Sequence, residues 1–377
     1  MKNVRFIGLD VHAETIAVAV AEPDGEVRSL GTIPNRSESV RRLIGKLGKP
    51  ESLKVCYEAG PTGYVLYWQL AELGVTCEVV APTLVPVKTG DRVKTDRRDA
   101  EKLARCYRSG DLTAVWVPDA AHEALRDLVR ARLAAKRDQL RARNRLSKFL
   151  MRQGRRAPEG ATAWTVKYMD WVKQQQFEHA AQEATLVDYL HEVEHVAERI
   201  VRLDRDIDAA VERTPETLRA VIAGLQSLRG IAKISAVTLV AELGQLSRFA
   251  HPRQLMGYSG AVSRERTSGP LVRRGSISKA GNAHLRRIVT ESAWAYRHRP
   301  SIGRALAARN REQSEAVKAI AWRAQHRLHA RYCALLARNK TKQKVIMAIG
   351  RELLGFIWAI GVEIERGHTA PEVKRAA

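Results

Sequence analysis

The sequence predicts an α/β amino-terminal domain joined to a mainly α-helical remainder, and three observations carry that prediction. Short β-branched runs alternate with helix-type apolar spacing over the first part of the chain. Beyond Ala120 the apolar residues recur at steps of three and four, as on one face of a long helix. Turn and breaker residues fall between these runs, at Pro23-Asp24-Gly25, Gly154, Pro158-Glu159-Gly160 and Pro215.

Taken in order, Arg5–Asp10, Thr15–Ala21 and Glu26–Ile33 read as three consecutive strands, the last two joined through Pro23-Asp24-Gly25. Val40, Leu43, Ile44 and Leu47 have helical spacing. Lys54–Tyr57 is a short strand leading into Glu58, followed by a helix over Tyr64–Leu73, a strand Thr76–Ala81, and a helix from Thr95 through Ala104. Three strands followed by alternating helices and strands is the order of a RuvC or ribonuclease H-like domain, placed at 1–118. A helical segment follows at 119–215. Within it, Leu125 to Arg156 carries twelve Arg or Lys against two Asp, which points to groove or backbone contact with a nucleic acid. Leu186, Tyr189, Val193, Val196, Ile200, Leu203, Ile207 and Ala210 form a coiled-coil-like seam. A second subunit or the preceding helix could fill it.

The segment 216–377 opens with LQSLRGIAKISAVTLVAELG at 225–244. It resembles a helix-hairpin-helix with Gly230 at the turn and Ala232 where a second turn glycine belongs. Ser259 to Asn282 reads as a flexible Gly/Ser/Arg-rich loop ahead of a helix at His284, and the rest as basic helix, with no role evident for 304–342.

Lys plus Arg number 64 against 41 acids, a formal charge of +23 over 377 residues. That excess calls for an anionic partner, and nucleic acid is favoured over a membrane surface. MKNVRFIGLD lacks an apolar signal core, and the late apolar run Leu353 to Val362 is about half the ~20 residues of a membrane span. Cys56, Cys77, Cys106 and Cys333 show no C-x-x-C spacing and read as reduced thiols of a cytoplasmic protein.

Four acids stand out against this basic background. Asp10 ends the first strand and Glu58 the fourth, which pairs with the first in a ribonuclease H-like order. Asp96 and Asp99 lie three apart on one helical face. Four hard oxygen donors suit Mg²⁺, with Mn²⁺ as the substitute, and paired ions would stabilise attacking and leaving oxygens of a phosphoryl displacement. Taken singly, Asp96 or Asp99 could serve only as a helix cap or dipole partner. The loop at 261–287 sets Ser263, Ser268, Ser276 and Ser278 among Arg264, Arg266, Arg273, Arg274, Lys279, Arg286 and Arg287. A serine there could be a nucleophile, a turn residue or a phosphate contact.

IGLDVHAET, YEAGPTGY and KTDRRDAEKLA, together with RGIAKISAVTL, the TSG tripeptide and SKAGNAHLRR, resemble the DEDD transposases of the insertion sequence 110 family, the RNA-guided bridge recombinases. The resemblance spans nearly the whole chain. It implies that Asp10, Glu58, Asp96 and Asp99 ligate Mg²⁺, and that Ser268 attacks a DNA phosphate to form a phosphoserine. It further implies a composite site shared between subunits of a tetramer, and a structured noncoding guide RNA that pairs with donor and target DNA. Arg130, Arg137, Arg141 and Arg145 of the basic helix, with Arg273, Arg274, Lys279, Arg286 and Arg287, are the candidate nucleic-acid contacts. Ala232 departs from the pattern, as does a spacing between Ser268 and Ser278 about one residue short of that expected, which keeps Ser263 and Ser276 as fallback nucleophiles. The alternative function is a RuvC-like endonuclease using water. An actin-like ATPase would need a second glycine-rich phosphate hairpin, which the sequence does not show. A binding protein with relic acids would not need all four carboxylates.

Overall fold

The structure is a computed structural model and describes residues 4–87 and 94–369. The chain divides at Pro118 into two units, residues 1–118 and 119–377.

Unit 1 is built on a five-stranded sheet of order β3-β2-β1-β4-β5, with β1 Arg5–Val11, β2 Thr15–Ala21, β3 Val27–Pro34, β4 Leu53–Glu58 and β5 Thr76–Val80. β1, β2 and β3 form an antiparallel meander, while β4 runs parallel to β1 and β5 parallel to β4. β2 is buried on both faces from Ile16 to Ala21, which explains its unbroken apolar run. Side chains alternate along a strand, so its two faces meet different neighbours. Ile16, Val18 and Val20, with Ile7, Leu9, Val55 and Tyr57, pack against α1 (Ser37–Leu47) and α2 (Val65–Glu72). Ala17, Ala19 and Ala21 instead meet Ala100 and Ala104 of α3 (Asp96–Ser109).

That second face is made of small residues, and α3 lies close against it. A Cβ at Gly8 would sit 2.9 Å from Leu103 Cβ, and nearer still to the Ala100 carbonyl oxygen and the Ala104 amide nitrogen. Cys56 on β4 also reaches α3, its thiol 3.7 Å from the Leu103 carbonyl.

Unit 2 is helical apart from one hairpin. α4 (Ala120–Arg152) and α6 (Ala180–Glu212) run antiparallel, with α5 (Val166–Lys173) near their connection. The α6 seam is filled from within the chain. Leu186, Leu190 and Val193 pack on Leu146, Phe149 and Leu150; Val196 and Ile200 on Ala135; Ile207 and Val211 on Leu125 and Val129. The last of these contacts continue into the core formed by α7 (Glu216–Leu225), α8 (Lys233–Leu243), α9 (Pro252–Tyr258), α10 (Ala283–Ala293), α12 (Glu315–Ala337) and α13 (Lys342–Thr369), with α11 (Arg304–Asn310) preceding α12. The seam read in the sequence is therefore taken up by α4, with no second subunit required.

The apolar run at 353–362 belongs to α13, which has 28 residues and is long and apolar enough to cross a membrane. Ile346, Ile349, Leu353, Leu354, Ile357 and Ile360 are instead buried in the unit 2 core. Two features suit α13 to that place. Gly361 allows Leu246 to approach its backbone, and Glu365 accepts 2.7 Å hydrogen bonds from the amides of Leu246 and Ser247.

The segment expected as a flexible loop contains a regular hairpin, β6 (Ser263–Ser268) and β7 (Leu271–Ile277). Gly269 (φ +57°) and Pro270 form its two-residue turn, the glycine-first order of a type II′ connection. Both faces of the strands are exposed, so no buried alternation marks them in the sequence.

Candidate active site

Register brings the first two acids together. Leu9 pairs with Tyr57 across the parallel β1–β4 ladder, so Asp10 and Glu58 come next on neighbouring strands and share the face turned to α3. The backbone of α3 is fixed at Gly8, two residues before Asp10, which sets the height of its first turn above the strand ends.

Thr95 is the N-cap of α3, its hydroxyl accepting from the Arg98 amide at 3.3 Å. Neither Asp96 nor Asp99 is needed for that role. Both stand in the first turn, where the helix dipole favours negative charge.

Asp10, His12 and Asp96 offer ligand atoms that all lie within 4.8 Å of one another. His12 Nε2 is 3.3 Å from Asp10 Oδ2 and 3.5 Å from Asp96 Oδ1. Asp99 Oδ2 lies 3.9 Å from Lys94 Nζ. Burial, reinforced by the charges of Asp96 and Asp99, raises the Asp10 carboxyl pKa against the opposing pull of His12. Burial likewise raises Glu58, followed by the charges of Asp99 and Asp10. The four acids thus share one electrostatic field, while Asp10 and Asp96 form the tight cluster.

His12 was not among the residues singled out in the sequence. The signal was the Asp10-Val11-His12 alternation, which returns the imidazole to the Asp10 side of the chain. The neighbouring acids raise the pKa of Asp10 and of Glu58, and a divalent cation would relieve that crowding of negative charge. Oxygen donors with one imidazole fit Mg²⁺ or Mn²⁺.

Ser268 ends β6, beside the turn and exposed, paired in register with Leu271. The base of the hairpin is tightly held. Gly260 packs on the Ala280 carbonyl and Gly281 on the Tyr258 carbonyl, leaving no room for a Cβ at either. Arg286 donates to the carbonyls of Ser259 (2.9 Å) and Gly281 (3.0 Å). Ser263 and Ser276 lie towards this base, away from the tip.

The candidate nucleic-acid contacts divide. Arg130 makes a two-pronged pair with the fully buried Glu242, at 2.8 and 3.0 Å, and Asn282 donates to the same carboxylate at 2.7 Å. Arg141 pairs with Asp138, Arg145 with Glu192 and Arg287 with Glu291. Their guanidiniums therefore meet acids of the protein itself. Arg137, Arg273 and Lys279 are exposed, and Arg274 is exposed beside Glu265 at 3.4 Å.

A mixed five-stranded sheet with acids at the ends of its central strands and an acidic helix turn across them defines a ribonuclease H-like domain of the DEDD type. Residues 7–153 match the IS110 DEDD transposase model, described as a transposase, and residues 223–307 match the transposase IS116/IS110/IS902 family. The chain is 45% identical to a putative transposase, y4qE, of Sinorhizobium fredii over 95% of this chain and 88% of that protein. It is 31% identical to the transposase for insertion sequence element IS1533 of Leptospira borgpetersenii, over 90% of this chain and 99% of the other. A pilin gene-inverting protein of Moraxella bovis shares 26% identity over 52% of this chain and 51% of its own length. The protein is an enzyme of DNA transposition, and it belongs to the IS110 family of insertion-sequence transposases.

Proposed function

We propose that this transposase cuts and rejoins DNA through Ser268, with Asp10, Glu58, Asp96 and Asp99 as ligands for Mg²⁺ or Mn²⁺ and His12 beside them. The observation that carries the reading is the placement of Ser268. It stands at the exposed tip of a hairpin whose base is locked by glycine contacts and Arg286, which suits a hydroxyl presented to a large substrate. Arg266 and Arg273 face each other directly across the hairpin. Like charges so placed destabilise a strand pair, and a bound phosphate would offset the repulsion.

In the reaction, Ser268 Oγ bonds to phosphorus, the bond from phosphorus to the 3′ oxygen breaks, and that oxygen takes up a proton as the serine loses one. The strand is then held as a 5′-phosphoserine, and attack by another 3′ hydroxyl reverses the step without an external energy source. A bound divalent ion would supply charge stabilisation at the phosphate oxygens. A structured noncoding RNA would choose donor and target by base pairing, leaving backbone and shape to the protein, as in other guided systems. The working form would be a dimer to tetramer in the bacterial cytoplasm.

The test is to incubate purified protein and its co-purified RNA with matched DNA and Mg²⁺. A covalent protein–DNA species should form and be absent in Ser268→Ala. If Ser268→Ala cleaves as well as wild type, water is the nucleophile and the endonuclease reading replaces this one. Cleavage that survives Asp10→Ala would remove the acids from the chemistry.

A further inference from the structure

Between Glu315 and Glu352 the chain carries nine lysines and arginines and no aspartate or glutamate. This stretch includes most of 304–342, for which the sequence suggested no role. Arg323, Arg327 and Arg331 follow at four-residue steps on α12 and therefore share a face, about 6 Å apart along the axis.

A groove along this face is lined by Arg323, Arg327 and Arg331, by Arg253 of α9 and by Arg351 of α13. It continues past Lys344 to Ser263 and Ser276 at the base of the hairpin, with Ala348 and Arg351 common to both stretches. Among the described residues Glu352 is the one acid lining it. The Glu352 carboxylate lies 3.2 Å from Nε of Arg327 and 3.2 Å from Nε of Arg331. One negative charge so placed aligns two guanidiniums without neutralising both, and their Nη groups remain on exposed side chains. A cleft lined by one sign of charge concentrates its field, and arginine forks match phosphate oxygens.

We propose that this groove holds the phosphate backbone of the DNA that is presented to Ser268. The inference rests on the serine-recombinase reading, because the groove ends at the hairpin carrying that serine, which makes DNA the polyanion that belongs there.

The test uses the full chain and a fluorescent 30-base-pair duplex titrated at several salt concentrations. Arg323→Ala, Lys344→Ala and Arg351→Ala are combined in one variant. Losing three phosphate contacts should make the slope of log K against log salt less negative by about 2.7, so that the affinity lost between 50 and 200 mM salt shrinks roughly 40-fold. A control variant removes equal charge from unit 1 by Arg36→Ala, Arg41→Ala and Lys46→Ala, and should keep the wild-type slope. Wild-type binding by the groove variant, or equal slope changes in both variants, would overturn the proposal. So would a defect seen with RNA of the same length but not with DNA. Melting curves check folding, and the single variant Lys344→Glu, expected to weaken DNA binding in the same direction, decides the matter if the triple variant does not fold. Ser268→Ala should bind DNA like wild type, which separates failure of the groove from failure of the nucleophile assignment.

Discussion

Gly8→Ala tests how the sheet positions the acidic helix turn. A Cβ there would lie 2.9 Å from Leu103 Cβ, against about 3.4 Å for ordinary contact, so that contact alone asks α3 to move by about half an ångström. The Ala100 carbonyl and Ala104 amide are nearer and belong to the helix backbone, which cannot rotate away as a side chain can. Overpacking of this kind costs about 1–3 kcal/mol, and the rigid partners place it at the upper end. Replacing a strand glycine recovers about 0.5–1 kcal/mol, leaving a net loss of roughly 2 kcal/mol. For a unit of this size that lowers its melting transition by about 8 °C. The same shift lifts Asp96 and Asp99 from Asp10, so affinity for Mg²⁺ or Mn²⁺ should fall roughly tenfold or more. Thermal melts of the full chain, with and without each ion, read both effects. A variant that melts within ~2 °C of wild type, with the same ion-induced increase, would refute the idea that contact at Gly8 sets the height of the acids.

Other outcomes follow from the same geometry. Asp10→Asn should raise the melting temperature in EDTA and abolish the increase given by Mg²⁺ or Mn²⁺. Because the folded-state pKa of Asp10 is raised, the folded form binds the extra proton, so the wild type loses stability as pH rises through that range, and the two proteins converge at low pH. Glu242→Gln leaves Arg126 and Arg130 without their buried carboxylate and should cost about 3 kcal/mol by urea denaturation. Burial opposes ionisation of Glu242, but hydrogen bonds from Arg130 and Asn282 and the arginine charges hold its pKa below the ordinary 4.5. Its contribution is therefore present above that value and disappears as pH falls through the lower folded-state value, which Glu242→Gln should make visible as a flatter acid limb. Gly230→Ala combines a left-handed φ of +84° with a Cβ 2.5 Å from the Ser292 carbonyl oxygen, and should destabilise unit 2 by roughly 3 kcal/mol in the same assay.

The sheet was legible because its signals are local. Thr15–Ala21 has the predicted bounds, and β1, β3, β4 and β5 differ from expectation by a residue or so at their ends. The ribonuclease H-like strand order also put Asp10 and Glu58 at the ends of neighbouring strands, and the β1–β4 register adds that they share a face. The hairpin at 263–277 was not legible in this way. Both its faces are exposed, so no apolar alternation arises, and only Gly269-Pro270 marks the reversal. His12 was overlooked because a single histidine after a strand carries no pattern of its own. Its meaning comes from Asp96, which reaches it only when α3 folds back across β1.

The basic segments show the same limit from the other side. Twelve cations against two acids made 125–156 the obvious nucleic-acid contact, yet Arg130, Arg132 and Arg145 find Glu242, Asp204 and Glu192 far along the chain. A local charge count cannot see partners supplied by an antiparallel helix or by another part of the core. The stretch 316–351 is less dense in cations, but the groove it borders is lined by one acid against six arginines and a lysine among the described residues. What governs attraction of a phosphate backbone is the charge left after the protein's own pairs are made, because a guanidinium already held by a carboxylate neutralises less phosphate charge and so releases fewer of the counterions condensed on the DNA. On that measure the proposed α12–α13 groove is a better candidate for DNA than Arg130, Arg132 and Arg145 of α4, while Arg137 of α4 stays exposed.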